Sequence, residues 1–205
     1  MKMPYFVKTP ALLKWFYPGL TWQKNRAEKV LYLTFDDGPI PDVTPFILQI
    51  LAKFNAKATF FCIGDNVKKH PEIFEQVKAG GHAIGNHTFN HLRGWNTADE
   101  VYLQNTRQCQ ELVKSKLFRP PYGRAKKSQL AVLQNQYEVI MWDVLSGDFD
   151  PDLSPQKCYQ NVVDKSGNGS IIVFHDSLKA FSRTRYALPK ALKYWQKQGY
   201  QFKTL

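Results

Sequence analysis

Cysteine is scarce in this 205-residue sequence, and the three that occur lie far apart. Cys62, Cys109 and Cys158 form neither a Cys-x-x-Cys metal or redox pair nor an even set for a disulfide framework, so buried thiols are expected. Long apolar runs are missing too, and no segment approaches the ~20 apolar residues of a membrane span. The first twenty residues are interrupted by Lys2, Lys8 and Lys14 and by Pro4, Pro10 and Pro18, so they lack the continuous apolar stretch of a signal peptide. A cytoplasmic location follows by default, with association to the cell envelope left open. Acidic residues are the third shortage: 17 Asp and Glu stand against 28 Lys and Arg, for a formal charge of +11. Such an excess suits a polyanionic partner. The basic residues are nevertheless scattered singly or in pairs such as Lys68-Lys69, without a helix-turn-helix, zinc-finger or RNP pattern. A solvated basic surface is expected, with no nucleic-acid partner.

What is present is enough for one domain with a real core. From Val30 onward, short apolar runs alternate with stretches of helical period, the pattern of an α/β fold with largely parallel strands. Val30 to Phe35, Ala58 to Ile63, His82 to Gly85, Val139 to Trp142, Ser170 to Phe174 and Tyr200 to Lys203 read as strands. Helices are expected from Thr44 as cap with Pro45 at the first position, and over Pro71 to Ala79, Asp99 to Val113, Ser128 to Gln134, Pro155 to Asp164 and Ala187 to Gln198. About seven β/α repeats are readable. Residues 1–28 differ, being rich in rings at Trp15-Phe16-Tyr17, and are expected to form an extension that packs on a domain spanning 29–205.

Few residues carry metal or acid–base chemistry. Among five histidines, His87 and His91 stand four apart. On a turn of helix that spacing puts both rings on one face, as a shared metal requires, although two surface histidines would look the same. In His-Glu-x-x-His proteases the residue after the first His is the base; here it is Thr88, so a base must come from elsewhere. Asp36-Asp37, at a strand end before Gly38-Pro39, offers one. The same four residues would also serve as a plain turn. In extended chain the two carboxylates point to opposite sides, so one can bind a metal while the other faces a water.

Thr34-Phe35-Asp36-Asp37-Gly38-Pro39 and His87-Thr88-Phe89-Asn90-His91 together resemble the polysaccharide deacetylase family, the NodB homology domain of carbohydrate esterase family four. Arg119-Pro120-Pro121-Tyr122, Trp142 to Phe149 and Val173-Phe174-His175 are similar to its third, fourth and fifth motifs, in the family's order. The resemblance implies a single-domain distorted (β/α) barrel with its site at the carboxyl ends of the strands. It implies one divalent ion, zinc first, with cobalt, nickel or manganese as alternatives, held by Asp37, His87 and His91. It makes Asp36 the general base, held by Arg119, and His175 the general acid, held by Asp148. Tyr122 would offer a backbone N–H to the oxyanion and Phe149 a wall of the acetyl pocket. Phe149 stands where the family usually has Trp and Val173 where it usually has Leu, which bears on substrate preference more than on catalysis. His82 resembles a structural position and is not expected on the metal.

The expected activity is hydrolysis of N-acetyl groups from a glycan containing N-acetylglucosamine, with peptidoglycan ahead of chitin-like oligosaccharides because of the basic surface. The alternatives are an O-acetyl esterase on xylan-type polymers and a non-catalytic carbohydrate-binding module. Oligomeric state is not readable from the chain.

Overall fold

The structure, a computed structural model, describes residues 5–205. Eight strands are found: β1 (Val30–Asp36), β2 (Ala58–Cys62), β3 (Ala83–Asn86), β4 (Leu117–Phe118), β5 (Glu138–Val139), β6 (Val144–Leu145), β7 (Ile171–His175) and β8 (Gln201–Phe202). All pair in parallel, in the order β5-β4-β3-β2-β1-β7-β6, with β8 added on β1. Eight helices accompany them: α1 (Ala11–Phe16), α2 (Val43–Lys53), α3 (Gly64–Lys69), α4 (Pro71–Ala79), α5 (Asp99–Val113), α6 (Lys127–Leu133), α7 (Pro155–Lys165) and α8 (Leu178–Lys197). This is the expected single-domain α/β fold, a curled parallel sheet in the manner of a distorted (β/α) barrel.

Strand β1 shows how the sequence builds it. Leu31, Leu33 and Phe35 point outward into the core shared with the helices, while Tyr32, Thr34 and Asp36 alternate to the concave side. Phe35 stacks on Phe60 of β2 at 5.0 Å and Phe174 of β7 at 6.0 Å, so three rings tie the central strands together. Burying each contributes roughly 1.5–3 kcal/mol. Helix starts follow local chemistry. Pro71 and Pro155 open α4 and α7, and the Ser154 hydroxyl accepts the Lys157 N–H as a cap.

Three expectations differ from the structure. Thr44 does not cap α2; the helix begins at Val43, and the Thr44 hydroxyl accepts the Ile40 N–H and donates to Asp176. Helix α8 starts at Leu178 and carries Pro189 inside it. The proline removes one backbone donor, but eight buried residues along this helix, Trp195 among them, outweigh that loss. The expected strand Val139 to Trp142 stops at Val139, because the Ile140 and Met141 carbonyls are taken by the Arg119 guanidinium. Helices α1 and α3 and strands β4 and β6 were not expected at all.

The chain before β1 crosses the gap between the two ends of the sheet. Thr21 bridges Ile140 beside β5, Lys8 bridges Val144 of β6, and Gln23 bridges Ser170. Lys8 and Lys14 both reach the buried Asp143 carboxylate at 2.6 Å, which also accepts the Ser170 hydroxyl. Trp15 and Phe16 stay exposed. Cys62, Cys109 and Cys158 are free and buried. No helix among the described residues is long and apolar enough to cross a membrane.

Candidate active site

Every residue singled out from the sequence as a site residue sits at or just beyond the carboxyl end of a strand. Asp36 ends β1 and His175 ends β7; His87 follows β3 and Arg119 follows β4, while Asp148 and Phe149 lie in the loop after β6. Parallel pairing therefore gathers them at one rim, around a cavity of about 360 Å³ lined by Asp36, Asp37, His87, His91, Tyr122 and His175 among others.

Asp37, His87 and His91 converge. The Nε2 atoms of His91 and His87 lie 3.3 and 3.8 Å from Asp37 Oδ1. The two rings do not share a helical turn, as their spacing had suggested. Residues 87–91 form a loop with left-handed backbone at Thr88 (φ 63) and His91 (φ 55). Asn105 of α5 holds that loop, its Oδ1 accepting the Phe89 and Asn90 N–H groups at 2.9 Å. The buried His87 places Nδ1 2.7 Å from the Arg119 carbonyl, so Nδ1 carries the hydrogen and Nε2 presents a lone pair. Burial, with His91 next, pushes His87 well below the ordinary imidazole range and keeps it neutral, as a ligand must be. Asp37 Oδ1 is buried without a hydrogen-bond partner. A buried, orphaned carboxylate oxygen facing two imidazole nitrogens is a donor set that a divalent cation satisfies, and the three ligand atoms lie within 4.8 Å of one another.

Asp36 is buried and bound to an equally buried Arg119, whose Nη1 donates to Asp36 Oδ1 at 2.6 Å and to the Thr34 hydroxyl at 2.7 Å. The guanidinium also lies 4.1 Å over the Phe61 ring. Burial pushes the Asp36 carboxyl above its usual range, and Arg119 pulls the other way. The outcome is an aimed carboxylate more basic than a free one. His175 Nδ1 lies 2.7 Å from Asp148 Oδ1, and Asp148 Oδ2 accepts both the His175 N–H and the Thr184 hydroxyl. Burial favours the neutral ring, but the charge of Asp148 outweighs it and His175 is pushed up to about 10.

Tyr122 has a left-handed backbone (φ 60) and packs its ring 4.6 Å from His91, with the Arg93 guanidinium 4.5 Å over it. Phe149 sets its edge against the His175 ring at 5.4 Å and against Tyr5 at 5.1 Å. His82 lies apart from the ligand cluster and accepts the Ala58 N–H.

Several supporting residues were not anticipated. The buried Asp176 accepts the Gly38 N–H at 2.8 Å and the Thr44 hydroxyl at 2.7 Å, clamping the turn that carries Asp37. A Cβ on Gly38 would fall 1.8 Å from Asp176 Oδ2, so only glycine fits there. Arg183 donates Nε to the Asp148 carbonyl. The one sequence signal was Asn105, an Asn amid a helical pattern, where such residues are poor helix formers.

Known proteins resemble this chain over most of its length. A peptidoglycan-N-acetylglucosamine deacetylase of Bacillus cereus is 36% identical over 196 residues, covering 91% of each chain. A chitooligosaccharide deacetylase of Azorhizobium caulinodans is 36% identical over 155 residues, covering 71% of this chain and 73% of its own. The crystal structure of a peptidoglycan N-acetylglucosamine deacetylase superposes with a TM-score of 0.88 at 30% identity, covering 96% of this chain and 95% of its own. Residues 23–139 match the family described as polysaccharide deacetylase, and the chain belongs to it.

Proposed function

We propose that this protein is a polysaccharide N-deacetylase that hydrolyses the acetamide of N-acetylglucosamine units, with peptidoglycan as first substrate and chitin-like oligosaccharides as second. The observation that carries the reading is the pairing of two proton handlers of opposite kind at the rim of one cavity: Asp36, made more basic by burial, and His175, held in its acid form by Asp148. The names of the two curated relatives supply the substrate class.

A divalent cation held by Asp37, His87 and His91 would polarise the acetyl carbonyl and acidify the attacking water; zinc suits two imidazoles and a carboxylate best, with cobalt, nickel or manganese able to serve. Asp36 takes the proton from that water as it attacks, while Arg119 fixes the direction of the carboxylate. The Tyr122 peptide, turned left-handed at the cavity wall, stands to donate its N–H to the developing oxyanion. His175 delivers its proton to the departing nitrogen, and Asp148 keeps the ring protonated and oriented. Phe149 forms the wall beside the acid. The working unit is the 29–205 domain, with residues 1–28 as its extension, of which the described part, from Tyr5 onward, is laid across the sheet gap. The envelope is the place where peptidoglycan would be met.

Acetate release from peptidoglycan, chitooligosaccharides and acetylated xylan, measured side by side, tests the proposal. Release from the N-acetylated glycans supports it. Release from xylan alone would make the protein an O-acetyl esterase, and binding without release would leave a carbohydrate-binding module.

A further inference from the structure

The catalytic cavity takes one wall from outside the 29–205 domain. Tyr5, in the arm before β1, lines it together with Phe149, Val173 and His175. The arm arrives there by pairing with β6. Lys8 bridges Val144 in antiparallel sense, the Leu145 N–H donates to the Val7 carbonyl at 2.8 Å, and the Thr9 N–H donates to the Asp143 carbonyl at 2.9 Å. The Thr9 hydroxyl adds a bond to the Trp142 carbonyl, and Lys8 and Lys14 meet the buried Asp143 carboxylate. Continued outward, that antiparallel register sets Tyr5 opposite Gly147, in the loop that carries Asp148 and Phe149.

Tyr5 is fitted to this loop at three points. Its hydroxyl donates to the buried Asp150 carboxylate at 3.1 Å. A Cβ on Gly147, whose backbone is left-handed (φ 79), would fall 2.8 Å from the Tyr5 hydroxyl oxygen, so the tyrosine closes on bare backbone. Its ring meets the Phe149 ring edge-on at 5.1 Å, and Phe149 meets the His175 ring in the same manner at 5.4 Å. Phe149 is therefore held between the arm on one side and the acid on the other. Phe149 and Val173 are each smaller than the Trp and Leu usual in the family, which takes volume from the cavity wall. Tyr5 abuts Phe149 and puts a ring back.

We propose that Tyr5 sets the acyl specificity of the site: its ring closes the pocket behind Phe149 to the size of an acetyl group and excludes a larger ring at position 149. The proposal rests on the cavity being a deacetylase site. Tyr5 is a positioning residue that acts through Phe149. A closed apolar pocket discriminates one methylene by about 10- to 200-fold, and a pocket open at the back loses that discrimination.

A double-mutant cycle in the full chain tests it, with Tyr5→Ala, Phe149→Trp and the two combined. The kcat/KM for deacylation is measured on glucosamine oligomers carrying N-acetyl or N-propionyl groups, and melting temperature is followed in the same variants. The parent should favour acetyl by about tenfold or more. Tyr5→Ala should bring that ratio toward one, and adding Phe149→Trp should restore it, which a merely structural role for the arm would not produce. Phe149→Trp alone should lower both activity and melting temperature, because the indole and Tyr5 claim the same space, and Tyr5→Ala should relieve that loss. An unmoved ratio in Tyr5→Ala, or losses that simply add in the double variant, overturns the proposal while leaving the deacetylase reading intact. No acyl release by the parent from either oligomer would instead overturn the deacetylase reading, and the proposal with it.

Discussion

Asp36 and His175 are register partners: they face each other across the β1–β7 pairing as the last residues of two parallel strands. Neighbouring parallel strands rise together, so their ends deliver two side chains to one rim at fixed separation. The division of labour between base and acid thus rests on strand register, which is stiffer than any loop.

Asp36→Asn should abolish most hydrolysis, by about 10² to 10⁴ in rate, while metal content stays near normal. The change also leaves Arg119 buried without its counter-charge, with the Thr34 hydroxyl and two carbonyls as remaining partners. Stability in denaturant should therefore drop, by on the order of 3 kcal/mol. Full activity, or loss of the metal instead, would show that Asp36 and Asp37 have other roles.

His175→Ala separates amide from ester chemistry. An amide nitrogen must be protonated to leave, whereas the phenolate of an activated aryl acetate leaves unaided. The variant should lose about 10² or more in kcat/KM on an N-acetylated oligosaccharide and far less on the aryl acetate. Equal losses would assign His175 to pocket shape.

The pH profile carries its own sign. His175 is raised to about 10, chiefly by Asp148 acting against burial, so the acid form persists through neutral pH and activity is lost only as pH rises through that value. Asp148→Asn removes the charge that overrides burial. The alkaline limb of kcat/KM should move to lower pH, with little change on the acid side. An unmoved limb would mean that another group supplies the proton.

Gly38→Ala tests the clamp. The added methyl meets the Asp176 carboxylate, and the turn before Pro39 must shift with Asp37 attached. Overpacking of this kind costs about 1–3 kcal/mol. Thermal unfolding should fall and metal affinity weaken together; a melt unchanged from wild type would show that the turn yields freely.

The sequence disclosed the site more fully than the frame around it, for a physical reason. Asp36-Asp37 and the His87/His91 pair stand out by residue type and spacing alone, whereas Arg119, Asp148 and His175 were legible only because their motifs resemble those of the family. Helices α4 and α5 were readable to the residue because proline, glycine or helical period marks their ends. What escaped depends on contacts distant in the chain. Asp176 acts on Gly38 across 138 positions, and Arg119 claims carbonyls that would otherwise extend β5. The loop from His87 to His91 misled because a spacing of four is satisfied equally by a helical turn and by two left-handed residues pinned on Asn105.

Dependence of amide hydrolysis on one divalent ion held by Asp37, His87 and His91 is the proposal on which the mechanism turns. Its most direct test is a titration of metal-stripped protein with zinc, following acetate release from an N-acetylated chitooligosaccharide and bound metal in the same samples. Activity should rise from near zero and level at one ion per chain, and His87→Ala and His91→Ala should neither retain the ion nor recover. Undiminished release after complete metal removal, or stoichiometric metal retained in both variants, would contradict the account.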